Sequence, residues 1–139
     1  SARVATLRLG VGSVLPMGMT AIGRAYLWAL PASERQMLTE RIKCHLDAAQ
    51  VTVVEVGMRH SFAELDATGT CCVSDGYLRD TFGIALPVRT GAQGRLMAMR
   101  GGSAVVRPDL AREHTRIAPV LKDAAAQLQE LLANDASLV

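Results

Sequence analysis

The chain has 139 residues, 50% of them hydrophobic, 20% charged and 4% aromatic. That length suits one domain burying about two-thirds of its unfolded surface, and the apolar fraction excludes a disordered or low-complexity chain. Fifteen Lys and Arg stand against thirteen Asp and Glu, a net charge of +2 scattered singly along the chain, which argues against nucleic-acid binding by this segment.

Residues 4–11 alternate Leu7, Leu9 and Val11 against Arg8 and Gly10, the period of a half-buried strand. Gly12-Ser13 and Pro16 mark an irregular passage. Thr20 is placed to cap a helix with apolar Ala21, Ile22, Ala25, Tyr26, Trp28 and Ala29, and Gly23 in its first turn permits close packing. Pro31 ends that helix and Ser33 is expected to cap the next, over roughly 33–49, with Met37, Leu38, Ile42 and Leu46 on one face. Glu40 and Lys43 lie one turn apart on it. A further helix is expected from Thr52 to about Asp66, stopping before Gly69.

Beyond Gly69 the period changes to two, and strands are expected over 70–75, 81–89 and 95–101. The last two are joined by Thr90-Gly91-Ala92-Gln93-Gly94, a loop with two glycines able to take positive φ. Gly101-Gly102-Ser103 is expected to close the third strand. From Pro108 onward Leu110, His114, Ile117, Leu121, Ala124, Leu128 and Leu131 recur at helical spacing. Pro119 should kink that helix or begin its second half. Strand, helices, hairpin and long helix in this order predict an α+β fold.

Catalytic constellations are scarce. Ser13, Ser61 and Ser74 lack a Gly-x-Ser-x-Gly setting, Asp75 and Asp80 read as solvated carboxylates, and neither a P-loop nor a dinucleotide fingerprint is present. Cys44, Cys71 and Cys72 are an odd set without Cys-x-x-Cys. They read as buried small apolar side chains in a reducing, cytoplasmic compartment, with adjacent Cys71 and Cys72 pointing to opposite faces of a strand. No metal and no cofactor are expected. No apolar run approaches the roughly 20 residues of a membrane span, so no membrane partner is expected. The start, Ser1-Ala2-Arg3-Val4, is not a secretion signal, and without an initiator Met it reads as a piece of a longer protein.

The Thr20-Ala21-Ile22-Gly23 run has more promise, because the first amides of a helix have no intrahelical partner and favour an anion. The segment Leu15-Pro16-Met17-Gly18-Met19-Thr20-Ala21-Ile22-Gly23-Arg24-Ala25-Tyr26-Leu27 resembles the Leu-Pro-x-x-x-Thr/Ser-Ala-x-Gly-Lys/Arg-Ala-x-Leu signature of IclR-type bacterial transcriptional regulators. The stretch Gly69…Asp75…Gly83-Ile84-Ala85-Leu86-Pro87-Val88 is similar to that family's Gly-Tyr…acidic…Cys-Ile-Ala-Ala-Pro-Val block, and the hairpin, the Gly101-Gly102-Ser103 turn and the last helix follow in order. The resemblance covers essentially the whole chain and falls in the C-terminal effector-binding domain.

It implies a GAF-like antiparallel sheet flanked by helices over 1–139, short of the domain's first elements. It also implies a small-molecule effector, assembly as a homodimer or homotetramer, and operator DNA bound only through an N-terminal winged helix-turn-helix outside this chain. No enzymatic activity is expected; the alternatives are a small α+β enzyme acting on a small carboxylic acid and a dimerisation module with a collapsed pocket. Carried over residue by residue, the resemblance places the family's helix-start amides on Ala21 and Ile22, a pocket-wall aliphatic on Leu15 and the pocket Cys on Gly83. The ligand-contacting acid falls on Val73, with a second acid at Asp75, and the two pocket serines fall on Met99 and Gly101. With four polar or thiol positions thus replaced, the pocket should be mostly apolar and favour an aliphatic or aromatic monocarboxylate.

Overall fold

The computed structural model describes residues 16–74, 81–104 and 109–133. The strand expected over 4–11, and with it Leu15 and Asp75, lies outside these. Four helices, α1 (Ala21–Ala29), α2 (Ala32–Cys44), α3 (Ala48–Thr68) and α4 (Leu110–Ala133), accompany three strands, β1 (Cys71–Ser74), β2 (Thr81–Thr90) and β3 (Arg95–Ala104). The strands form an antiparallel sheet in the order β1-β2-β3. This is the expected α+β class.

Local chemistry sets the ends of α1. The Thr20 hydroxyl accepts from the Gly23 amide at 3.2 Å and donates to the Pro16 carbonyl at 2.8 Å, so one side chain fixes both the helix start and the turn before it. Gly23 is required for contact: a Cβ there would sit 2.3 Å from the Met17 carbonyl oxygen. At the other end Arg35 reaches back from α2 and donates to the carbonyls of Leu27, Trp28 and Leu30, acceptors that a helix C-terminus leaves unpaired.

Helices α2 and α3 depart from the expected bounds. Ser33 caps nothing; the cap position of α2 is Pro31, without a side-chain cap bond. The expected helix over 33–49 ends at Cys44, because Asp47 starts α3 with a capping box: its carboxylate accepts from the Gln50 amide at 2.8 Å and the Gln50 side chain accepts from the Asp47 amide at 3.1 Å. Such reciprocal bonds out-compete continuation of the previous helix. Lys43 accordingly pairs across to Glu55 of α3 at 2.6 Å rather than with Glu40. Gly69 closes α3 as expected, in the left-handed conformation at φ 80°.

The hairpin register pairs Thr90 with Arg95, leaving Gly91–Gly94 as the turn, with Gly91 at φ 76° and Gly94 at φ 63°. Gly101 and Gly102 do not close β3; they pair with Ile84 and Gly83 inside the ladder. Helix α4 runs through Pro119 without interruption.

The sheet separates two layers. Phe82, Ile84, Leu86 and Val88 point to one face and pack with Leu121 and Ala125 of α4, as period-two alternation requires. Cys71 and Ala85 point to the other, against Ala21 and Ala25 of α1 and Leu65 of α3. A third cluster, Leu27, Leu30, Val54 and Met58, binds α1 to α3, with Leu38 and Ile42 of α2 laid over it. No residue of α2 is fully buried, so that helix is an outer strap.

Candidate functional site

The expected site is centred on the start of α1. As the first two helical residues, Ala21 and Ile22 have amides with no intrahelical carbonyl in reach, whereas the next amide, that of Gly23, is taken by the Thr20 hydroxyl. Ala21 is buried, and Ile22 and Val73 flank the same cluster. Val73 in turn pairs with Gly83. Four of the sequence-derived positions, Ala21, Ile22, Val73 and Gly83, thus share the α1 face of the sheet.

Met99 and Gly101 do not join them. Met99 packs with the α4-side cluster, and a Cβ on Gly101 would meet Ile117 Cγ2 of α4 at 3.2 Å. Side chains of directly paired residues lie on the same face. Gly83 pairs with Gly102, and its neighbour Ala85 pairs with Arg100, so β3 presents Arg100 and Gly102 to the α1 face. The carry-over onto Met99 and Gly101 thus falls on the α4 face, since a shift of one residue exchanges the two faces of a strand.

Arg100 is the residue that the sequence reading missed. Its side chain lies across Gly83, where a Cβ would come within 2.4 Å of Nε, and its Nη2 donates to the Phe82 carbonyl at 3.0 Å. Partial burial lowers its pKa from the ordinary value by desolvation. The signal for it was the pair Gly83 and Arg100, which is visible only once the register is known.

A second arginine, Arg24, is structural. It is buried, donating through Nε to the Gly18 carbonyl at 2.9 Å and through Nη1 to Ser61 Oγ at 3.1 Å. Desolvation lowers its pKa, with the Cys71 and Glu64 positions acting in the opposite sense. Gly57 makes the room, since a Cβ there would lie 2.3 Å from Arg24 Nη2. The group holds the Pro16–Thr20 turn, and hence the start of α1, onto α3.

The thiols follow the face rule. Cys71 is buried on the α1 side and Cys72 packs toward α4. Burial, followed by the Glu64 charge, pushes Cys71 up to about 12 and Cys72 up to about 11, so both stay protonated near neutrality. Cys44, expected to be buried, is exposed at the end of α2, because no described element covers the outer face of that helix.

On the far side, a groove of about 400 Å³ is lined by Thr68, Thr70, His114, Thr115, Ala118, Pro119 and Lys122. Thr70 Oγ1 and His114 Nε2 lie 2.6 Å apart, and His114 Nδ1 is 3.6 Å from Glu64 Oε2. A histidine between an acid and a hydroxyl is the arrangement of an activated nucleophile. Here the Thr70 residue is wholly buried, and 3.6 Å exceeds a hydrogen bond. The chain of groups ties α4 to the α3–β1 junction. Among the described residues no cluster of His, Cys, Asp and Glu could hold a metal, and no helix is long and apolar enough to cross a membrane.

No family model matches the sequence, and no curated protein matches it. Solved structures do. The chain is similar to an IclR-family transcriptional regulator from Brucella abortus at 25% identity and a TM-score of 0.75, covering 91% of this chain and 48% of that one. It is similar to a transcriptional regulator from Rhodococcus sp. RHA1 at 26% identity and a TM-score of 0.72, covering 94% and 52%. The inducer-binding domain of a double mutant of the PobR transcription factor from Acinetobacter, solved with 3-hydroxybenzoic acid, shares the fold at 20% identity and a TM-score of 0.64, covering 89% and 73%. The chain spans about half the length of the first two. Its α+β fold is that of IclR-type effector-binding domains, as the sequence resemblance implies.

Proposed function

We propose that this chain is the effector-binding domain of an IclR-type transcriptional regulator, acting in the cytoplasm and tuning DNA binding rather than catalysing a reaction. The observation that carries the reading is the shared fold with transcriptional regulators over 91% and 94% of the chain; the sequence signature around Thr20 supports a ligand at the start of α1. Operator DNA would be read by a winged helix-turn-helix elsewhere in the protein, and the domain would self-associate as a homodimer or homotetramer.

The effector is proposed to be an apolar or aromatic monocarboxylate, held against the α1 face of the sheet. Ala21, Ile22, Val73 and Gly83 supply small or apolar contacts there, with Leu15 and Asp75 as further positions outside the described residues. The amides of Ala21 and Ile22 favour a negative charge because they are the positive end of the α1 dipole. An inducer-binding domain of the same fold solved with an aromatic acid supports the size and class. A small enzyme is the weaker reading, since the one acid–histidine–hydroxyl chain among the described residues ends in a buried threonine.

Calorimetry of the protein with a panel of aliphatic and aromatic monocarboxylates and small polar keto acids tests this. Saturable binding of the larger acids is expected, and an Ile22→Pro variant, which deletes one amide, should bind them at least tenfold more weakly. Binding of the polar keto acids alone would overturn the apolar class. Equal affinity in parent and variant would remove the helix-start contact.

A further inference from the structure

We infer that Arg100 is the specificity-determining residue of this site: its guanidinium takes the effector's carboxylate, and Gly83 is the space that lets it lie there. The inference rests on the effector-binding reading above and goes beyond it by naming the group that would make an acid, rather than a neutral molecule of the same shape, the preferred ligand.

Three independent features of the structure carry it. The first is the face. Arg100 pairs with Ala85, and Ala85 packs against Ala21 at the start of α1, so the arginine projects on the side of the sheet where Ile22 and Val73 lie. The second is the fit between Arg100 and Gly83. With Nε 2.4 Å and Cζ 3.2 Å from the position of a Cβ, the guanidinium occupies room that any side chain at 83 would fill. Gly83 stands beside Val73 in the ladder, so the charge is carried to the middle of the apolar positions instead of out past the edge of the hairpin.

The third is the state of the group. Nη2 donates to the Phe82 carbonyl at 3.0 Å, which pins one end of the planar fork to β2. A carbonyl is a neutral acceptor, and among the described residues no acid pairs with the guanidinium. Partial desolvation raises the value of a matching anion, because the guanidinium stays charged far above neutral pH and cannot relieve the cost by losing its proton. Arginine suits a carboxylate better than lysine does, since its fixed donors meet two oxygens at once. A ligand held this way would set its carboxylate between Arg100 and the Ala21 and Ile22 amides, with its apolar body toward Val73.

The test compares benzoate with benzamide, a neutral molecule of nearly the same shape, by calorimetry on the parent protein and on Arg100→Met, Arg100→Lys and Gly83→Ala. The parent is expected to prefer benzoate by at least tenfold. Arg100→Met should abolish the preference while still binding benzamide, Arg100→Lys should restore only part of it, and Gly83→Ala, which pushes the guanidinium away without removing it, should weaken benzoate alone. A thermal melt within a few degrees of the parent establishes that each variant is folded, and Gly83→Ala is the independent check if Arg100→Met is not. Benzoate bound equally by parent and Arg100→Met overturns the role of Arg100 and leaves the effector reading standing. A parent that binds neither probe, nor any acid of the panel above, overturns both.

Discussion

At the residue scale, buried polar groups do the positioning. Arg24 joins the turn before α1 to α3 through Gly18 and Ser61, and removing it leaves a buried carbonyl and hydroxyl without a donor. Hydrogen bonds to a charged group contribute about 1.5–3 kcal/mol each. Arg24→Met should therefore lower the unfolding free energy measured in urea by roughly 3 kcal/mol, far more than Arg100→Met, whose group is half exposed. The thiols make a second prediction. Because the folded pKa of Cys71 is raised from 9.0 to about 12 and that of Cys72 from 9.0 to about 11, their contribution to stability is complete below pH 9. It is lost as pH rises toward those values, since the unfolded thiols ionise first. Urea midpoints between pH 8 and 11 should fall more steeply for the parent than for Cys71→Ala. At pH 8 only exposed Cys44 should react quickly with a thiol-exchange reagent. Little of this was legible in sequence: Arg24 reads as one letter of a motif, and Cys44 as a buried thiol, because which helix faces are covered is a tertiary fact.

At the element scale, local signals were legible where the cap chemistry is local. Thr20 and Gly69 end their helices as read, and the two turn glycines sit at the positive φ that the hairpin needs. The boundary between α2 and α3 was missed because apolar periodicity runs past it, while the Asp47–Gln50 box decides it. Asp47→Ala should cost about 1 kcal/mol and raise amide hydrogen exchange in the first turn of α3 before any other region. The face of each β3 residue was not legible for a different reason. A strand read without its partners has no fixed face, and Gly101-Gly102 supplied no side chain to mark one. The observed register makes its own prediction: Met99→Ala should cost on the order of 1–2 kcal/mol through lost packing under α4, with monocarboxylate affinity unchanged within twofold. A tenfold loss of affinity in that variant, at preserved fold, would return Met99 to the site.

For the whole molecule, the sheet divides the labour. Its α4 face is closed by Phe82, Ile84, Leu86 and Val88 against Leu121 and Ala125, and is a core. Its α1 face carries the helix start, the small residues at 21, 83 and 85 and the exposed Arg100, and is the side on which a ligand is proposed. Fold class was readable from the resemblance, since the motif around Thr20 is contiguous. The charge on β3 was not, since it depends on pairing across the hairpin. Outward-facing Val120 and Leu131 on α4 are available for the proposed self-association, so sedimentation at micromolar concentration should show a dimer or tetramer that Leu131→Glu shifts toward monomer. The most direct test of the account is a titration of methyl-labelled protein with 3-hydroxybenzoate, followed by nuclear magnetic resonance. The account predicts saturable shifts of the Ile22 and Val73 methyls, with those of Ile117 and Leu121 nearly still. Shifts confined to Ile117 and Leu121, or none at millimolar ligand, would contradict it.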